Sequence, residues 1–219
     1  MIRWLPIICI ALLVGATASD ADIVHSPTNF FLGEVWQGAE YRDLDLDLDE
    51  NGTVDFSIVT SVNNFCGIAP TGQNKYLIHP SPPPNIGGRV AALDTGYLIG
   101  LNSGDNSPEE WFGVDNNYGT LISIWDAGST GEFLRHRGFV GLEFESSEGT
   151  HYGWLDIEGV PNGGSYLIVH GWAYETTPGI GIVAGAVPEP SSVVLAFLGT
   201  FTLWGLRFRK DRRCASQAA

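Results

Sequence analysis

Apolar residues between positions 30 and 174 fall in short alternating or continuous runs, separated by Gly, Asn, Ser and Pro, and nowhere sustain a helical stripe. This pattern predicts strands at 30–36, 43–48, 54–61, 75–78, 89–93, 96–101, 121–125, 139–145, 151–158 and 166–174. Ten strands with no helix between them predict an all-β fold, a two-sheet β-sandwich or jelly roll. Pro80 and the run Pro82, Pro83 and Pro84 read as a rigid surface connection. The clearest hairpin turns at 146–149. Val140, Leu142 and Phe144 alternate with Glu143 and Glu145 on the way in. On the return, Leu155 and Ile157 share one face, and Tyr152, Trp154, Asp156 and Glu158 share the other.

Both ends of the chain break this pattern. Arg3 precedes an apolar run, 4–14, followed by Ala16-Thr17-Ala18, the small-x-small arrangement that signal peptidase accepts; residues 1–18 read as a secretory signal peptide cleaved after Ala18. Cys9 follows Ile7 and Ile8, whereas a lipoprotein anchor needs a small residue just before its cysteine. At the other end, Val187-Pro188-Glu189-Pro190-Ser191-Ser192 leads into an apolar segment, 193–206, and then into Arg207, Arg209, Lys210, Arg212 and Arg213. Fourteen residues make about 21 Å of helix against a hydrocarbon core of roughly 30 Å, so length alone suits a buried helix. Two prolines upstream, no polar face and the basic cluster predict instead a short transmembrane helix whose arginines snorkel and whose mismatch is absorbed by local thinning. The nearest upstream basic residue is Arg137, and this asymmetry places 207–213 in the cytoplasm and the preceding domain outside.

This composite end, with Pro188-Glu189-Pro190, the short span and the arginine-rich tail in that order within 187–219, resembles the PEP-CTERM sorting signal of bacterial proteins processed by exosortases, also catalogued as the ice-binding protein C-terminal domain. The resemblance implies that a membrane-embedded cysteine transpeptidase, the exosortase, cuts near the tripeptide and passes the ectodomain to the cell surface or the exopolysaccharide matrix of a bacterium with an outer membrane. It makes Pro188, Glu189 and Pro190 recognition residues of a substrate rather than catalytic residues. The tail departs from the pattern in continuing from Cys214 to Ala219. The expected organisation is a signal peptide at 1–18, an ectodomain at 19–186 and a sorting signal at 187–213, itself divided into 187–192, 193–206 and 207–213. The hairpin block with Gly141 and His151-Tyr152-Gly153-Trp154, together with Tyr174-Glu175 ahead of Pro178, resembles a segment common in such ectodomains and names no activity.

Charge narrows the partners. The whole chain carries a formal −14, and 19–186 holds 23 acidic against 5 basic side chains, a formal −18. Nucleic acid is excluded, because binding it depends on cations that neutralise phosphate; divalent cations and basic partners are favoured. Of three cysteines, Cys66 alone lies within 19–186, which rules out a disulfide there and suits a buried apolar filler.

One acidic segment has ligand spacing. With Asp47 as the first position of a calcium loop, Asp49 is third, Asn51 fifth, Gly52 at the sharp turn, the Thr53 carbonyl seventh and Asp55 ninth. Position twelve is Ile58 instead of a bidentate Glu, and no helix flanks the loop, so any Ca2+ affinity is expected to be weak, about millimolar. The same residues also read as a solvated hairpin turning at Asn51-Gly52. A two-residue turn there would pair Leu48 with Asp55 and Asp47 with Phe56, mixing acids and apolar residues on one face; a wider loop from Asp47 to Asp55 removes the conflict.

Two weaker arrangements remain. Glu143 with Glu145, or Asp156 with Glu158, stand on one strand face as a glycosidase pair would, though alternation alone predicts them. Trp111, Trp125, Tyr152, Trp154 and Trp172 are candidates for a carbohydrate-binding surface, with core packing as the ordinary alternative. His25, His79, His136, His151 and His170 are scattered without ligand spacing, and no serine occupies a nucleophile elbow. The sequence therefore points to a non-catalytic secreted protein, structural or adhesive, with exopolysaccharide as a candidate partner. The competing expectation is a carbohydrate-active enzyme or lectin.

Overall fold

The structure is a computed structural model of the 219-residue chain. It describes residues 22–33, 43–61, 65–79, 89–103, 108–114, 117–125, 128–160 and 166–188. The predicted signal peptide, the apolar span 193–206, the basic cluster 207–213, the triple proline and Trp36 lie outside the described residues, as do Glu189 and Pro190. The chain divides into two compact units, Met1–Ala186 and Val187–Ala219, and every described strand belongs to the first.

Fourteen strands and no helix make up the described residues: β1 (Ile23–Leu32), β2 (Leu44–Leu46), β3 (Phe56–Ser61), β4 (Phe65–Pro70), β5 (Lys75–His79), β6 (Arg89–Val90), β7 (Leu98–Ile99), β8 (Glu110–Phe112), β9 (Gly119–Trp125), β10 (Gly128–Thr130), β11 (Arg137–Ser146), β12 (Gly149–Val160), β13 (Tyr166–Glu175) and β14 (Ile182–Val183). The all-β expectation holds. The division into two sheets does not. Twelve strands form one sheet in the order β1-β13-β12-β11-β5-β6-β9-β4-β3-β2, with β10 added to β9 and β8 to β5. Strand β5 pairs with both β11 and β6, and β6 runs parallel to β9, so these elements join two halves that a sandwich would keep apart.

The sheet curls into a nearly closed barrel. Leu32 near one end of the strand order and Leu46 at the other belong to one buried cluster with Phe56, Ile58, Val140 and Leu155. A second cluster lies on the outer face of the wall. There, Leu77, Tyr152, Trp154 and Ala173 are covered by Ile99 and Ile182, which face each other in the two-stranded β7–β14 layer. Burial on both faces explains why β12 is buried almost without interruption, while β13 keeps strict alternation.

This covering layer corrects one expectation about surfaces. Tyr152 and Trp154 do share a face, but at 1% and 2% exposure they are core. Trp154 donates its indole N–H to the Ala186 carbonyl at 3.1 Å and meets Phe139 edge-on. Trp111 packs on the same cluster and Trp172 on the main one. Tyr152 and Trp154 are therefore unavailable to a carbohydrate surface, while Trp111 and Trp172 are half-buried.

Candidate metal-binding loop and sorting motif

The acidic loop follows from its strand register. Leu44 pairs with Ile58, Asp45 with Ser57 and Leu46 with Phe56, so the apolar residues point inward together, while the Ser57 hydroxyl donates to exposed Asp45 at 2.6 Å. A two-residue turn at Asn51-Gly52 would have shifted this pairing by one position and turned the leucines outward. The chain instead spans 47–55 as a wide loop, closed at its base by the Asp55 N–H donating to the Leu46 carbonyl at 2.7 Å.

Within the loop the carboxylates organise the backbone. Asp47 accepts the N–H groups of Asn51 (3.0 Å) and Gly52 (2.7 Å), and Asp49 accepts the Asn51 N–H (3.2 Å) and side-chain amide (2.9 Å). Asn51 Oδ1 in turn accepts the Thr53 N–H at 2.7 Å. Gly52, at φ +87°, supplies the left-handed turn, and Glu50 adopts φ +57°. Asp55, 3% exposed, reaches back under the loop. Its two oxygens accept from the Leu48 N–H at 2.8 Å and the Asn74 amide at 3.2 Å.

One oxygen each of Asp47, Asp49 and Asp55 lies within 4.8 Å of the others. Burial pushes the Asp55 carboxyl up to about 6, with the nearby charges of Asp49 and Asp47 adding to it and the Leu48 and Asn74 hydrogen bonds opposing it. Tyr174 is raised by burial and then by Asp49, Glu50, Glu148 and Asp22, so acids gather around this end of the barrel. An open groove of about 600 Å³ adjoins the loop, with Asn51, Thr53, Asp55, Asn74 and Ser146 among its lining. The three converging carboxylates are hard oxygen donors. Hard cations take donors of this kind, whereas softer metals choose nitrogen and sulfur.

The paired carboxylates stand apart from one another in their bonding. Glu143 pairs with Lys75, Glu145 accepts from the Thr150 hydroxyl at 2.6 Å, Asp156 takes a bidentate grip from Arg137 at 2.9 and 2.7 Å, and Glu158 meets His170 at 2.9 Å. Sequence reasoning missed a different group, His79 between Glu109 and Glu132, whose members lie 30 and 53 positions apart. No periodicity connects residues so far apart in the chain. Cys66 is fully buried, and burial pushes its thiol up to about 12.

The class of protein is therefore an all-β, strongly acidic domain followed directly by a sorting signal. The chain carries a PEP-CTERM protein-sorting motif at residues 186–213, which contains Pro188, Glu189 and Pro190 and begins where the covering layer ends. The motif marks the chain as an exosortase substrate, exported and directed to the cell surface. No curated protein and no solved structure matches the chain. No helix among the described residues is long and apolar enough to cross a membrane.

Proposed function

We propose that this protein is a non-catalytic structural or adhesive component of the cell surface or exopolysaccharide matrix. The signal peptide exports it, segment 193–206 holds it transiently in the inner membrane with Arg207, Arg209, Lys210, Arg212 and Arg213 on the cytoplasmic side, and an exosortase reading Pro188-Glu189-Pro190 releases it. The motif match at 186–213 carries this reading. Replacing Pro188, Glu189 and Pro190 with alanine is expected to leave the protein in the inner-membrane fraction with its C-terminus intact, as read by mass spectrometry of fractionated cells. Unchanged release and an unchanged mature C-terminus would falsify the assignment.

In this reading the acidic loop binds Ca2+ outside the cell. Asp47, Asp49 and Asp55 supply carboxylates, Asn51 a side-chain oxygen and Thr53 its carbonyl, and the ion's role is to neutralise the loop and stiffen it. Support comes from the converging carboxylates and the buried position of Asp55. Isothermal titration of the full chain in detergent is expected to show one weak site, about millimolar. No heat of binding up to several millimolar calcium would remove the ion from the proposal.

A further inference from the structure

His79 ends β5 on the same outer face as Leu77, at the rim of the cluster beneath the β7–β14 layer. Its ring is gripped by two carboxylates. Nδ1 contacts Glu132 Oε1, and Nε2 lies 3.2 Å from Glu109 Oε1. Each acid also holds a second segment. Glu132, in the turn after β10, accepts the Ala92 N–H at 3.0 Å, and buried Glu109, just before β8, accepts the Tyr97 hydroxyl at 3.2 Å. Tyr97 leads into β7, and its carbonyl accepts the Ala184 N–H at 2.8 Å, which ties it to the chain leaving β14.

An ionised carboxylate only accepts hydrogen bonds, and a neutral imidazole has a single N–H to give. Both contacts are therefore satisfied together when the ring is an imidazolium. We propose that His79, Glu109 and Glu132 form a proton-dependent clamp, which fastens the covering layer to the barrel while His79 is charged and loosens it when the ring loses its proton.

Other groups around His79 fit this balance. Arg89, its cross-strand partner on β6, shares its face but is exposed, and Arg135 and His136, in the turn with Glu132, are also exposed. Tyr97 faces the cluster through Glu109. Burial works against the charged ring, but the hydrogen bonds and charges of Glu132 and then Glu109 outweigh it and raise the His79 pKa above the ordinary histidine value. A raised histidine contributes stability that is complete below about 6.5, its value in the unfolded chain, and lost as pH rises through the folded value.

The test is histidine nitrogen NMR on the full chain in detergent micelles, with the His79 resonances assigned through His79→Gln. His79 is expected to titrate above an ordinary histidine and to carry protons on both nitrogens at about pH 6.5. Between that pH and its midpoint, the unfolding constant should rise by up to about tenfold per pH unit. Hydrogen exchange at the Gly96 and Ala184 amides, which bond across the layer, should accelerate in the same window beyond intrinsic base catalysis. His79→Gln should abolish both changes. A neutral His79 at about pH 6.5, or exchange indifferent to its titration, overturns the clamp. Should His79→Gln not fold, Glu132→Gln decides, because an unmoved His79 midpoint in that variant also overturns it.

Discussion

Asp55 sits 3% exposed beneath a loop that carries Asp47 and Asp49, so its negative charge is opposed both by lost water and by its neighbours. Its carboxyl, pushed up to about 6, lies above the unfolded value of 3.8, and the fold therefore retains a proton that the unfolded chain has released. In chelator, stability should fall as pH rises through that interval and then level off, a loss on the order of 2–3 kcal/mol. Asp55→Asn is expected to flatten the fall in urea titrations. A wild-type profile that stays level would show that the carboxyl ionises freely. The interval lies below that of His79, so the two groups separate on one pH axis. The spacing of Asp47, Asp49 and Asp55 was legible because nine consecutive residues bring them together. Glu109, Glu132 and His79 meet only through tertiary packing and left no trace in the sequence.

At the scale of elements, patterning was most informative where one face meets the core and the other meets solvent. The register of β2 against β3 could be anticipated for that reason, since only the wide loop puts Leu44, Leu46, Phe56 and Ile58 on one side. Strand β4 was missed because Gly67 and Pro70 read as breakers, and β8, β10 and β14 because two or three residues hold no period. The covering layer is built from two of the shortest strands, so the burial of Tyr152 and Trp154 beneath it could not be read from β12 itself. Close packing of the wall can be tested at Gly159. A Cβ placed there would lie 1.7 Å from the Phe133 carbonyl oxygen, and the Gly159 N–H donates to the His136 carbonyl at 2.9 Å. Gly159→Ala should cost about 3 kcal/mol, a drop in Tm of roughly 6–12 °C. Gly72→Ala faces open space, strained only by its φ of +66°, and should cost about 1 kcal/mol. Equal melting points for the two variants would contradict the packing described.

For the molecule as a whole, the sorting address was readable because it is a linear motif, with each part next to the last in the chain. The closure of the barrel was not, because it depends on narrow ladders, two residue pairs between β11 and β5 and one between β6 and β9, that join otherwise wide hairpins. The same closure governs the chemistry of Cys66, which lies on β4 with its thiol fully enclosed and reluctant to ionise. An oxidising compartment that would couple an accessible sulfhydryl into mixed dimers finds nothing to attack while the wall is shut. Alkylation at that position then waits on opening of the wall, and with reagent in enough excess to outpace reclosing Cys66 becomes a built-in stopwatch for opening of the folded ectodomain.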